Sequence, residues 1–157
     1  MKTEKVAGRI VVLTTEEVYA SLAALTAVMG KEFNEKSAYR IGKLQSKLEA
    51  IRRHEDKDRL DIFNIYGKND GKGNINIPQP GPAPERGQEE TDDDWNKRVS
   101  EHVNLTADNK GFQEDMAQLL KRKHTIEAPP IDLPANLTIT PAVRMALAWL
   151  LGDEDLI

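Results

Sequence analysis

Residues 13–51 read LTTEEVYASLAALTAVMGKEFNEKSAYRIGKLQSKLEAI, and the spacing of their apolar residues sets the architecture. Thr14 has the chemistry of a helix N-cap, and Glu17, three residues on, completes a capping box. Val18, Leu22, Leu25 and Met29 then recur at helical spacing until Gly30, a residue suited to ending a helix. A helix is expected over 15–29. After the polar link from Lys31 to Asn34, Ile41, Leu44, Leu48 and Ile51 follow a 3-4-3 spacing, the seam of one helix packed along another. A connection this short requires an antiparallel helical hairpin.

Outward from this hairpin the signals weaken. Charges of both signs dominate from Arg52 to Arg59, and the apolar stripe resumes at Leu60, Phe63 and Tyr66 before Gly67. No proline falls between Glu35 and Tyr66, so one long second helix is allowed. Upstream, the β-branched run Ile10-Val11-Val12 within Val6 to Leu13 reads as a short strand. Downstream, Gly67, Gly71 and Gly73 with Asn69, Asp70 and Asn74 mark a turn, and Ile75-Asn76-Ile77 a brief strand. Pro78, Pro80, Pro82 and Pro84 and the acidic cluster Glu89 to Asp94 make 68–94 a solvated linker or surface loop.

Two shorter helices are expected next, one carrying Trp95, Val99, His102 and Val103, the other Phe112, Met116, Leu119 and Leu120. The basic run Lys121-Arg122-Lys123 suits the end of the second. Pro129, Pro130 and Pro134 keep 124–133 extended, and Leu137-Thr138-Ile139 reads as another short strand. Thr140 and Pro141 open a final helix, with Val143, Leu147, Leu150 and Leu151 on its buried side and Gly152 as its stop. The expected fold is mainly α with a small β element (α+β), formed by the N-terminal run and the segments near 124–140. It has an N-terminal strand and helical hairpin over 1–67, a loop over 68–94, and helices and short strands over 95–157 packed on the hairpin as one domain.

Composition bounds function. At 157 residues the chain is long enough to bury a core without staples. It has no cysteine, which excludes disulfides, thiolate zinc sites and cysteine nucleophiles and suits a reducing compartment. A net charge of −4 gives no long-range pull toward phosphate backbones or anionic membranes. No signal-peptide core or membrane span is visible.

Chemistry is sparse as well. His54, His102 and His124 sit in no nucleophile motif, and no cofactor signature is present. The glycine-rich run 67–73 lacks the closing Gly-Lys-Ser/Thr of a phosphate loop and the ligands of a calcium loop, so a hairpin turn is expected. Two charged groupings stand out as partner-binding candidates. Lys36, Arg40, Lys43 and Lys47 fall on one helical ridge, a geometry that can follow phosphates. The acidic balance and few aromatics argue instead for the outer face of an amphipathic helix, so nucleic acid is not expected as a partner. Asp92, Asp93 and Asp94 form an acidic run able to face basic surfaces but too loosely held for a specific metal site.

The order of features resembles a family of small tailed-bacteriophage proteins of unknown function. The resemblance rests on Glu16-Glu17-Val18 through Ala23 to Leu25, on Ala38-Tyr39-Arg40-Ile41-Gly42-Lys43 with a later Arg53 or Arg59, and on the Tyr66-Gly67 turn. A Phe112-initiated helix ending near Leu119-Leu120 and a Leu-Thr-x-x-Pro type of start to the last helix complete it. Residues 9–70 and 112–151 carry the match, and the proline-rich acidic insertion of 75–105 departs from it. The resemblance implies a phage origin, an α-rich hairpin with a small β element, and no established activity. A non-enzymatic structural or assembly accessory is expected, acting through contacts with other phage proteins or its own copies, in the host cytoplasm or the virion. The alternative is an early regulator that binds and inhibits a host protein.

The seam makes a direct prediction. Leu22→Asp or Leu44→Asp should abolish cooperative unfolding, because each buries an unpaired charge. Thermal melting followed by circular dichroism checks this, and unchanged melting of either variant would show that the seam is misassigned.

Overall fold

The computed structural model describes residues 8–135 and 137–151. The chain is mainly α-helical with small antiparallel β elements. In order they are β1 (Arg9–Thr14), α1 (Thr15–Val28), α2 (Glu35–Tyr66), β2 (Lys68–Asn69), β3 (Ile75–Asn76), α3 (Asp92–Leu120), β4 (Lys123–Ala128), α4 (Pro141–Ala146) and α5 (Ala148–Leu151). They sort into two compact units, 1–55 with 120–157 and 56–119. This division falls at 55/56, within α2, and at 119/120, where boundaries at 67/68 and 94/95 were expected.

The first unit is built on the helical hairpin. Thr14 caps α1, its hydroxyl accepting from the Glu17 N–H while the Glu17 carboxylate accepts from the Thr14 N–H. Asn34 caps α2 through its side-chain oxygen, which accepts from the Ser37 N–H at 2.8 Å. Val18, Leu22, Leu25 and Val28 of α1 share one core with Ile41, Leu44 and Leu48 of α2. Met29, expected in the seam, is exposed, and Val28 takes the inward position. β1 pairs antiparallel with β4 in the register Val11↔Ile126 and Leu13↔His124. Side chains alternate across a strand, so Leu13 and Ile126 join the core while Ile10 and Val12 face outward.

The C-terminal segment closes this core with Leu147, Leu150 and Leu151. Thr140 caps it and Pro141 opens it as expected, but the helix breaks at Leu147, whose ψ of 11° leaves the helical range. Trp149 donates from Nε1 to the Ser21 hydroxyl (2.9 Å), which donates in turn to the Ala146 carbonyl (3.3 Å). Residues 137–139 form no strand; Ile139 instead packs on the core from an irregular segment. The expected start of β1 at Val6, the Gly152 stop and the tail from Asp153 lie outside the described residues.

The second unit departs furthest from expectation. The two short helices foreseen for 95–103 and 112–120 are one helix, α3, which begins earlier, at Asp92. Thr91 caps it, its hydroxyl 3.2 Å from the Asp94 N–H, and Asp92, Asp93 and Asp94 occupy its first turn, where negative charge favours the exposed N–H groups. Weak helix formers at Asn104, Thr106, Asn109 and Gly111 do not interrupt it; Thr106 donates back to the His102 carbonyl within the helix, and Asn109 and Gly111 are held by tertiary contacts. Asn109 is buried, accepts from Gln113 and donates to Gln79. Gly111 leaves room for the Tyr66 ring, whose atoms would lie 3.0 Å from an added Cβ.

The segment expected as a solvated linker or surface loop holds no buried residue and is tied down by hydrogen bonds. β2 and β3 form the expected hairpin turn, with Gly71 and Gly73 at positive φ and the Asp70 carboxylate accepting from the Lys72 and Asn74 N–H groups. The proline-rich stretch then lies along α3. The Pro80 carbonyl accepts from the His102 ring at 3.1 Å, and the Glu90 carboxylate takes two bonds from Arg98 at 2.7 and 2.8 Å. Phe112 sits edge-on between Phe63 and Tyr66, with centroid distances of 5.3 and 6.1 Å.

Tyr66 donates to Asp115 at 2.7 Å. That bond, with some burial and the Asp115 charge, raises the phenol above its ordinary value of 10.0. A raised value means the folded chain favours the protonated phenol, so this stabilisation is complete below pH 10 and fades as pH rises through the folded value. The stability difference between wild type and Tyr66→Phe, from urea unfolding, should be flat up to pH 10 and shrink above it. A difference constant through the alkaline range would contradict the hydrogen bond.

Candidate functional site

Two places gather polar side chains in the first unit. The first is buried. The seam spacing of α2 continues from Ile51 to Glu55, and the structure puts Glu55 inside, 2% exposed. The Thr15 hydroxyl, 1% exposed, lies 3.2 Å from Glu55 Oε2 and 2.9 Å from His124 Nε2. Arg122 Nη1 reaches both Glu55 oxygens at 3.4 and 3.5 Å, and His54 Nδ1 approaches Oε1 at 3.2 Å. The Arg122 carbonyl accepts the Thr15 N–H at 2.9 Å.

A hydroxyl between an imidazole and a carboxylate has the composition of an activated nucleophile. Its burial argues for a different role. With Thr15 closed to solvent, a substrate cannot reach the oxygen without the start of α1 and the turn before β4 separating. The arrangement is better suited to joining α1, α2 and β4 at one point, since each buried polar group there has a partner.

The second place is open. The segment after β4 is strapped to the start of α2. Asn34 donates to the Asp132 carboxylate at 3.1 Å, Ser37 Oγ accepts the Asp132 N–H at 2.9 Å, and Arg40 Nη1 donates to the Pro130 carbonyl at 2.8 Å. Beyond Arg40 the strap parts from the helix and leaves a cavity of about 230 Å³. Arg40, Lys43, Leu44 and Lys47 line one side, and Gly8, Glu127, Pro129 and Pro130 the other. Lys43 lies 5.8 Å from the Tyr39 ring centroid. Among the described residues, neither Lys43 nor Lys47 has a carboxylate within ion-pair distance.

The structure thus brings three of the four ridge residues, Arg40, Lys43 and Lys47, to one cavity, while Lys36 stays exposed and outside it. Arg40 is partly committed to holding the strap. Asp92, Asp93 and Asp94 lie in the second unit, with Asp92 ion-paired to Arg86. The Thr15–Glu55–His124 cluster, whose members are separated by 40 and 109 residues, was missed from the sequence. One sign was available: a glutamate at the next seam position after Ile51.

The buried cluster yields a prediction. Arg122→Met leaves the Glu55 carboxylate without its cation and should destabilise the fold by about 2 kcal/mol. Glu55→Gln removes the buried charge while keeping shape and should cost less, under about 1 kcal/mol. Chemical denaturation of both variants checks the ordering; an equal or reversed cost would mean that Arg122 does not serve Glu55.

Comparison with models of known protein families, with curated proteins and with solved structures finds no match for this chain.

Proposed function

We propose that the chain is a non-enzymatic accessory protein of a tailed bacteriophage, a structural or assembly factor working through protein–protein contacts in the host cytoplasm or the particle. The observation that carries the contact role is the outward face of the β1–β4 sheet. Ile10 and Val12 stand there 66% and 55% exposed, beside Thr125 and Glu127 of the paired strand. Apolar β-branched side chains kept outward on a sheet are costly to leave in water and profitable to cover. The phage assignment draws its support from the motif resemblance alone.

The buried cluster supports the same reading, because its histidine, carboxylate and hydroxyl are occupied with one another. Among the described residues no helix is long and apolar enough to cross a membrane. The acidic run that would favour a host-directed regulator is placed on the first turn of α3, where it serves the helix.

Mass spectrometry of purified particles and assembly intermediates tests the proposal. The chain should be present in one of them, and Ile10→Ser with Val12→Ser should remove it without changing the melting temperature of the isolated protein. Absence from both, with a single host protein captured from infected cells, would replace this reading with that of an early regulator.

A further inference from the structure

The cavity between α2 and the strap has a definite chemistry. Lys43 and Lys47 stand one helical turn apart, exposed and without an anionic partner among the described residues. Arg40, a turn earlier, is held by the Pro130 carbonyl through Nη1 alone (2.8 Å), which leaves further donors of its five-donor fork available. The facing wall is Pro129 and Pro130, with Leu44 at the base. Prolines offer no N–H, so this wall supplies apolar contact and no hydrogen-bond donor. Glu127 adds one negative charge against three positive ones, a net of +2 for the lining.

We propose that this cavity binds a carboxylate on a short aliphatic stem, supplied by an acidic side chain of a protein partner. Size argues for a side chain: about 230 Å³ is below the roughly 300–1,000 Å³ of pockets that take whole small molecules. The lining argues for a carboxylate on a stem over inorganic phosphate: Pro129 and Pro130 offer apolar contact to methylene groups, which inorganic phosphate lacks, and no backbone N–H groups of the kind that cradle phosphates. Leu44 and the prolines cover the methylene stem while the lysines and the arginine take the charge. The inference deepens the protein-contact reading by naming the group the partner presents. Its test uses the purified chain, so its failure is separable from that of the phage-accessory role.

The test is an NMR titration with glutarate, an acetylated hexaglutamate peptide, inorganic phosphate and a duplex DNA. Glutarate and the peptide should shift the amides of 40–47 and of the facing residues 127 and 128. Lys43→Gln combined with Lys47→Gln should weaken peptide binding by about tenfold or more. Lys36→Gln, on the same ridge but outside the cavity, should leave it unchanged, and Glu127→Gln should tighten it. All three variants must keep the wild-type amide spectrum away from the site. Preference for phosphate or DNA, loss of binding on Lys36→Gln equal to that of the double variant, or binding of glutarate without the peptide would each overturn the proposal.

Discussion

A carboxylate occupies the place where the apolar seam of α2 would put its next hydrophobic side chain. Burying Glu55 without partners would cost several kcal/mol, so the first unit is arranged around satisfying it. The Thr15 hydroxyl comes from the first residue of α1, Arg122 from the turn before β4, and His124 stands behind Thr15 on the inward face of the sheet. The constraint therefore reaches three elements distant in sequence and sets where β4 enters beside β1. Leucine packing supplies most of the cohesion, but it is non-directional. The glutamate, which needs specific donors at specific places, selects one arrangement of the same leucines.

The hairpin was legible because its signals are local. Thr14 with Glu17, the 3-4-3 stripe of α2 and Thr140-Pro141 each act within a few residues, and the capped helices begin where those signals stand. The β1–β4 pairing was anticipated in outline from a β-branched run and a proline-limited extended segment. α3 was not legible as one helix, because Asn104, Thr106, Asn109 and Gly111 are weak helix formers, and the contacts of Asn109 with Gln79 and of Gly111 with the Tyr66 ring come from far off in sequence. The capping pattern at Thr91-Asp92-Asp93-Asp94 was visible in principle but hidden inside an acidic run. The proline-rich segment lies at the surface as its composition suggests, but its anchorage was not legible: carbonyls freed from any ladder accept bonds from His102 and Arg98.

The basic ridge shows how far helical spacing alone can go. It placed Lys36, Arg40, Lys43 and Lys47 on one face, correctly as geometry. It could not foresee that a strap would engage Arg40 and turn Lys43 and Lys47 into the wall of a cavity. The functional interest of the ridge comes from that second element, which lies some ninety residues downstream. In β1, Ile10 and Val12 face outward for a reason periodicity does give: alternate residues of a strand with one buried face must point away from it.

The claim that the Glu55 cluster is closed and structural can be read at one amide. Thr15 is the first residue of α1, a position whose N–H has no partner within its own helix. Among the described residues its partner is the Arg122 carbonyl at 2.9 Å. Native-state hydrogen exchange should find the Thr15 amide slowed to the level of the core amides of Leu22 and Leu25, opening only with the unit as a whole. Exchange at the rate of an uncapped helix end would mean that the cluster opens freely to solvent, and its hydroxyl, histidine and carboxylate would then have to be reconsidered as a working site.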